Sequence, residues 1–167
     1  MKRILLTGMS GTGKSTVIQA LAERGYKAVD ADCDEFSEWV LVADDAGTPG
    51  EPVEPGRDWM WREDRIEALL SNVDAELLFV SGCSANMGRF LDQFTHVILL
   101  SAPNEVIMER LMTRETNVYG KNADERARVL GLVETVEPLL RRISGHEIDT
   151  SASLDAVVEQ VIQIASS

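Results

Sequence analysis

The chain has 167 residues and a formal net charge of −12 at pH 7, from 28 acidic and 16 basic side chains. This length suits a single domain with a sizeable core, which we predict to cover residues 1–167. The acidic balance predicts no nucleic-acid partner, because neutralising phosphates requires a basic surface. The chain also lacks an apolar run long enough to cross a bilayer and an apolar signal region. We therefore expect no membrane partner, a cytoplasmic location, and a monomer or homodimer.

The negative charge is concentrated in one segment. Residues 30–76 contain 15 acidic residues and only three arginines, whereas the rest of the chain is balanced. One interpretation is a solvated acidic face that keeps the protein soluble. The other is that this segment surrounds the binding site of a substrate.

The first predicted strand, Ile4–Leu6, leads directly into a glycine-rich motif. Residues 8–15 read GMSGTGKS and fit G-x-x-x-x-G-K-[ST] at every fixed position. Apolar residues then recur at helical spacing over 17–22, and Gly25 marks the predicted end of that helix. Strand, tight turn and helix therefore occur in the order of a phosphate-binding loop.

This loop predicts a site for ATP and Mg²⁺. Glycines let successive backbone N–H groups turn toward a phosphate, and the helix that follows directs its positive end at the same anion. We predict that Lys14 contacts the β- and γ-phosphates as a catalytic residue and that Ser15 is a ligand of Mg²⁺. The predicted nucleotide-binding residues of the loop are Gly8, Ser10, Gly11, Thr12, Gly13, Lys14, Ser15 and Thr16.

Four more apolar runs alternate with helical patterns along the chain. The runs are Tyr26–Val29, Leu77–Val80, Val97–Leu100 and a weaker one at Glu147–Ile148. This alternation predicts an α/β fold with a five-stranded parallel sheet.

The predicted helices lie between these runs. One begins after Pro103, and the last begins after Ser151 or Ser153. A third covers 124–143, where Gly131 and Pro138 should weaken or kink it. The acidic segment 43–57, rich in Pro and Gly, is predicted to be a loop.

Aspartates follow the second predicted strand, at the edge where parallel sheets bind ligands. Phosphoryl transfer uses one carboxylate near Mg²⁺ and another near the acceptor hydroxyl, and Asp30 and Asp32 suit these roles. Asp34 is a further candidate for either role. Alternatively, Asp32 is the N-cap of a helix that carries Phe36 and Trp39.

The segment after the third predicted strand reads SGCS at 81–84 and contains no carboxylate. Motor ATPases and GTPases hold Mg²⁺ with an acid at this place, so its absence argues against both classes. Gly82 instead predicts a close approach of backbone and substrate. We interpret Trp59 and Trp61 as core anchors, with stacking platforms as the alternative.

Arg110 and Arg114 lie four residues apart on the helix that begins after Pro103. A guanidinium group binds phosphate or lies flat on a base, so we predict that both contact the nucleotide and that Arg114 is catalytic. An ordinary solvated helix face is the alternative. The polar residues at about 114–122 predict a short lid that closes over the triphosphate. We assign His96 and His146 to sheet-edge packing or solvent.

These motifs resemble those of the small P-loop kinases, the group of shikimate, gluconate and nucleoside monophosphate kinases. VDAD at 29–32 is similar to the Asp-x-Asp of shikimate kinases, and GCSAN at 82–86 to a gluconate kinase segment. The resemblance implies acceptor binding by Arg62, adenine stacking by Arg110 and phosphate contact by Arg114. It also implies that IDTS at 148–151 borders the adenine.

The resemblance implies a three-layer, adenylate-kinase-like P-loop NTPase fold with an acceptor-binding insertion at about 32–72. It implies an ATP- and Mg²⁺-dependent kinase whose substrate is a small hydroxyl-bearing metabolite. A nucleoside monophosphate kinase is one alternative, and an ATP-binding regulatory module or slow NTPase is another. The acidic charge of 30–76 favours a neutral or cationic acceptor, with Asp32 and Gly82 also at the acceptor site.

Overall fold

The computed structural model describes residues 1–41, 57–115 and 120–167. Its strands are β1 (Lys2–Thr7), β2 (Lys27–Asp30), β3 (Ser37–Leu41), β4 (Arg57–Trp61), β5 (Leu77–Ser81), β6 (His96–Ser101) and β7 (His146–Asp149). Its α-helices are α1 (Lys14–Glu23), α2 (Glu63–Ser71), α3 (Asn104–Thr113), α4 (Ala123–Thr135), α5 (Glu137–Ile143) and α6 (Leu154–Ser166), with a 3₁₀-helix at Met87–Gln93. Within these ranges, no helix combines the length and the apolar character that a bilayer crossing requires.

The main sheet has five strands in the order β2-β5-β1-β6-β7, and every neighbouring pair is parallel. All five predicted strands are therefore confirmed. β1 lies at the centre, so the glycine-rich loop that follows it emerges in the middle of the carboxyl edge. The end of β2 reaches the same edge two strands away. This topology places the loop and the aspartates on one side of the molecule.

Two hydrophobic clusters separate the sheet from its helices and make the fold three-layered. Alternation along β1 sends Ile4 and Leu6 into one cluster, with α1 and α6, and sends Leu5 into the other. The second cluster receives side chains from α2, α5 and the 3₁₀-helix. Strands covered on both faces need apolar centres, and the fully buried centres of the three middle strands meet this need: Ile4–Leu6, Leu78–Val80 and Ile98–Leu100. The predicted three-layer α/β P-loop fold is thus confirmed.

A two-stranded antiparallel hairpin, β3 and β4, stands apart from the main sheet. It places Trp39 opposite Trp59, and the rings meet edge to face with centroids 5.0 Å apart. The alternative in which Asp32 caps a helix over Phe36 and Trp39 is wrong, because Trp39 lies in a strand. Most of the predicted loop at 43–57 is outside the described residues, and Arg57 begins β4.

The helical pattern over 124–143 is divided into α4 and α5, as its proline predicts. The break is at Val136, and Pro138 occupies the first turn of α5, where a missing N–H costs nothing. Gly131 lies inside α4 without ending it. The last helix begins after Ser153, whose hydroxyl accepts a hydrogen bond from the Ala156 N–H at 3.3 Å.

His96 and His146 begin the adjacent strands β6 and β7, and their rings lie 5.5 Å apart. Burial lowers the pKa of His96 below its usual 6.5, and the nearby His146 and Lys2 lower it further. The unfolded chain therefore binds the His96 proton more readily than the folded protein does. The free energy of unfolding is therefore unaffected by His96 above about pH 6.5, and it decreases as the pH falls from there toward the pKa of His96 in the folded protein.

We expect the free energy of unfolding of the wild-type protein, taken relative to that of His96→Gln, to fall as the pH is lowered from 7 to 5. The measurement is urea unfolding of both proteins at several pH values. The comparison must be a difference between the two proteins, because the raised pKa of Asp32 acts in the opposite direction over part of this range. Parallel pH profiles for the two proteins would show that His96 makes no contribution.

Candidate active site

The glycine-rich loop has the backbone geometry that its sequence predicts. Gly13 is the N-cap of α1 with a φ of 94°, a left-handed conformation that side chains disfavour. A Cβ atom at Gly8 would overlap the carbonyl oxygen of Leu100, so the loop can lie against β6 only with glycine at this position. The loop therefore ends with the N-terminus of α1 directed into the space above the sheet.

Lys14 begins α1 and lies across the mouth of this loop. Its ammonium group donates hydrogen bonds to the carbonyl oxygens of Gly8 at 2.7 Å and Met9 at 3.2 Å. These bonds hold the positive charge beside the backbone N–H groups of the loop. The charge is thus positioned where an anionic ligand of the loop would meet it.

Ser15 and Asp30 meet at the end of β2. The Ser15 hydroxyl donates to one carboxylate oxygen of Asp30 at 2.5 Å. The other carboxylate oxygen accepts from the Asp32 N–H at 3.0 Å and the Ser81 hydroxyl at 3.2 Å. Asp30 and Ser81 are register partners, so β2 supplies the acid that β5 lacks.

A hydroxyl beside a carboxylate is a donor set that fits Mg²⁺. This ion prefers hard oxygen ligands, and in phosphate sites it takes one or two protein ligands and keeps several waters. The described residues contain no group of three or more His, Cys, Asp or Glu side chains that could hold a metal. A magnesium site here would therefore be completed by phosphate oxygens and waters.

Asp32 lies two residues after Asp30, and two hydrogen-bond donors contact its carboxylate. Its carboxylate accepts a hydrogen bond from the Cys83 N–H at 3.3 Å and another from the Trp59 side chain. Burial raises the pKa of Asp32 to about 6, although Lys14 opposes this and Asp30 adds to it. A carboxylate with this pKa is able to accept a proton near neutral pH.

A cavity of about 360 Å³ lies over the loop. Six of the eight loop residues predicted to bind the nucleotide line it: Ser10, Gly11, Gly13, Lys14, Ser15 and Thr16. Of the other two, Gly8 lines a neighbouring cavity, and Thr12 is buried with its hydroxyl bonded to the Met9 carbonyl. Arg110, Arg114 and Thr150 also line the cavity over the loop, which we call the nucleotide cavity.

Thr150 joins three parts of the nucleotide cavity. Its backbone carbonyl and hydroxyl accept from Arg110 at 2.6 and 2.9 Å. The hydroxyl donates to the Thr12 carbonyl at 2.7 Å, and the backbone N–H donates to Ser101. The family resemblance implies that residues 148–151 border the adenine, but the sequence gives no sign of the role of Thr150, because its partners are distant in the chain.

Arg114 follows α3 and approaches the loop, with one guanidinium nitrogen 3.4 Å from the Ser10 hydroxyl. Both predicted arginines therefore belong to the nucleotide cavity, which argues against a solvated helix face. The predicted lid begins at Arg114. Residues 116–119 of that lid are outside the described part of the chain.

A second cavity of about 370 Å³ adjoins the first and shares Ser10, Lys14 and Asp32 with it. We call it the acceptor cavity. Its other lining residues are Gly8, Met9, Trp39, Trp59, Cys83, Val129 and Leu132. Burial raises the pKa of the Cys83 thiol to about 11, so this part of the wall is uncharged at neutral pH.

The tryptophans divide between the core and this cavity. Trp61 is 2% exposed and packs in the core, as interpreted from the sequence. Trp59 instead lines the acceptor cavity, together with Trp39, which sequence reasoning had not assigned to a site. Side chains alternate in direction along a strand, and this rule would separate Trp59 from Trp61. It can be applied only once both segments of the hairpin are known to be strands.

Arg62 and Gly82 have other contacts than those predicted for the acceptor site. Arg62 pairs with Glu38 at 2.9 Å and donates to the Asp34 carbonyl, and it lines neither cavity. A Cβ atom on Gly82 would lie 2.9 Å from two ring atoms of Trp61. The space beside Gly82 is thus occupied by the protein's own indole ring.

We expect Gly82→Ala to destabilise the fold by about 1–3 kcal/mol, because the buried Trp61 ring must move to admit a methyl group. The same methyl group would lie 3.2 Å from an Asp32 carboxylate oxygen. Gly88→Ala is the control, since no atom lies within 4 Å of a Cβ there. Equal unfolding midpoints in urea for the two variants would show that the Trp61 contact is unimportant.

Comparisons with known proteins agree with this geometry. The model of the AAA domain family matches residues 4–131. No curated protein sequence matches the chain. Solved structures do: shikimate kinase from Acinetobacter baumannii in complex with shikimate has 21% identity and a TM-score of 0.66, covering 98% of this chain and 92% of that one.

Two more solved structures share the architecture. Shikimate kinase from Bacteroides thetaiotaomicron has 16% identity and a TM-score of 0.63, with 99% of both chains covered. A gluconokinase from Sinorhizobium meliloti 1021 has 17% identity and a TM-score of 0.59, covering 99% of this chain and 91% of that one. The predicted resemblance to the small P-loop kinase group is confirmed, and at these identities it establishes the fold.

Proposed function

The chain belongs to the AAA domain family, and from this premise we propose that it is an ATP- and Mg²⁺-dependent kinase that phosphorylates a hydroxyl group of a small molecule. One observation carries the proposal: the nucleotide and acceptor cavities meet at Lys14 and Asp32. A protein that only binds or hydrolyses ATP has no need of a second cavity that opens onto the phosphate end of the first. A transferase does, because its two substrates must meet there.

The nucleotide cavity supplies the contacts for ATP. The loop N–H groups and the start of α1 would hold the phosphates, and we assign stacking on the base to Arg110, which lines the same cavity. Ser15 and Asp30 would hold Mg²⁺, which neutralises charge on the phosphates when bound. Arg114 and Lys14 add positive charge around the oxygen atoms of the group being transferred.

Asp32 acts as the general base in the proposed transfer step. The acceptor hydroxyl oxygen forms a bond to the γ-phosphorus, and the bond from that phosphorus to the bridging oxygen of ADP breaks. The hydroxyl proton passes to the Asp32 carboxylate, which the Cys83 N–H and the Trp59 side chain hold in place. Water has to be excluded, and the predicted lid from Arg114 would contribute to this.

A screen for acceptor-dependent ATP loss tests the proposal. Purified protein, Mg²⁺ and ATP labelled at the γ-phosphate are incubated with polyols, sugars, nucleosides, amino alcohols and nucleoside monophosphates. We expect label to appear on a hydroxyl-bearing compound that is not a nucleoside monophosphate. ATP loss that no compound stimulates would instead indicate the slow NTPase, and binding without any loss would indicate the regulatory module.

A further inference from the structure

The wall of the acceptor cavity is largely apolar and aromatic. The hairpin contributes Trp39 and Trp59, and α4 contributes Val129 and Leu132. Met9 and the neutral thiol of Cys83 complete the apolar part. Its volume of about 370 Å³ is in the range of sites that hold small organic ligands.

Two charged side chains occur among the described residues of this wall, Lys14 and Asp32. In the proposed reaction both are engaged, Lys14 with the phosphates and Asp32 with the hydroxyl proton. None of the three arginines in and after the hairpin, Arg57, Arg62 and Arg65, lines the cavity. Arg62 pairs with Glu38, and Arg65 donates to the Glu35 carbonyl at 2.6 Å. The described wall therefore offers an anionic acceptor no cation of its own.

The indole rings are placed to hold a flat molecule close to the base. The Trp59 side chain donates to the Asp32 carboxylate, so its ring lies directly beside the reacting atoms. Trp39 meets it edge to face, with an interplanar angle of 61° and 40% of the residue exposed. An exposed indole next to a cavity offers apolar surface and π-electron density to a ligand.

We infer that the acceptor is an uncharged hydroxyl compound with a flat apolar or aromatic portion, which packs against Trp39 and Trp59 while the hydroxyl lies at Asp32. This inference rests on the proposed function, because it names the class of its second substrate. It excludes acceptors recognised through a carboxylate or phosphate group.

Binding of matched probes tests the inference without requiring turnover. The protein is saturated with Mg²⁺ and a non-hydrolysable ATP analogue, so that the nucleotide cavity is filled. Four probes are titrated by calorimetry: phenyl β-glucoside against methyl β-glucoside, and thymidine against thymidine monophosphate. We expect the probe with the ring, and the probe without the phosphate, to bind about tenfold more tightly within each pair.

Variants on the hairpin assign the preference to the indole rings. Trp39→Leu should remove most of the difference between the two glucosides, and Trp39→Phe should keep it. Leu41→Ala, at an 81% exposed position on the same strand that lines neither cavity, should leave it unchanged. Circular dichroism checks that each variant is folded.

The outcomes separate this inference from the proposed function. Tighter binding of the monophosphate, equal binding of the two glucosides, no binding of any probe, or a preference that survives Trp39→Leu would each overturn the inference. A ring preference that depends on Trp39 supports it, even where a parallel assay with ATP finds no phosphorylated acceptor. That last result would count against the kinase proposal alone.

Discussion

Lys14→Ala is expected to reduce acceptor-dependent turnover of ATP on the order of 10²- to 10³-fold, the cost of removing one preorganised charge from a transition state. The ammonium group lies at the junction of both cavities, where the γ-phosphate would be transferred. ATP affinity should fall as well, because Lys14 would also contact the phosphates in the ground state. Calorimetric titration with Mg²⁺ and ATP and steady-state kinetics measure the two effects.

Lys27→Ala is the matched control for this variant. Lys27 lies on β2 and pairs with Asp74, and it lines neither cavity. Lys27→Ala removes one positive charge from the protein, as Lys14→Ala does, but it removes none from the site. Turnover should therefore stay near the wild-type rate. Wild-type ATP affinity and turnover in Lys14→Ala would refute the assignment of the loop.

Asp32→Asn is expected to lower acceptor phosphorylation on the order of 10²- to 10⁴-fold while a non-hydrolysable ATP analogue still binds within a few-fold of the wild-type affinity. The amide keeps the shape of the side chain and can still bond to the Cys83 N–H, but it cannot accept the hydroxyl proton. Turnover number and Michaelis constant for the acceptor, measured separately, distinguish lost chemistry from lost binding.

Asp34→Asn provides the comparison for this second variant. Asp34 is exposed and lines neither cavity, although the sequence made it a candidate for the same roles. We expect its substitution to leave turnover nearly unchanged. Full activity in Asp32→Asn, or an equal loss in both variants, would show that Asp32 is not the base.

Local sequence signals predicted the parts of this protein that are local in the chain. The phosphate-binding loop is one continuous segment, so its strand, glycines and helix start could be recognised together. The five strands of the main sheet are short apolar runs bounded by turn residues, and Pro138 marks the break between α4 and α5. Ser15 and Asp30, which the sequence assigns together to Mg²⁺, lie in hydrogen-bond contact because the start of α1 and the end of β2 reach the same carboxyl edge.

The acceptor cavity could not be predicted in the same way, because it is assembled from distant segments. Trp39 and Trp59 become neighbours only through the register of β3 and β4, and the residues between them carry no pattern that fixes it. Phe36 and Trp39 are three residues apart, which imitates a helical face. Val129 and Leu132 join the wall from α4, whose position depends on the whole core.

The hydrogen bonds of Lys14 have a consequence for how the catalytic cycle would end. Its ammonium group has two internal acceptors, the carbonyl oxygens of Gly8 and Met9. Under the proposed function, nucleotide binding would be an exchange of partners, in which phosphate oxygens replace these carbonyls. After transfer the leaving nucleotide would have one phosphate fewer, and the ammonium group could return to Gly8 without passing through an uncompensated state. The loop would thus provide its own competitor for the product, which would favour product release.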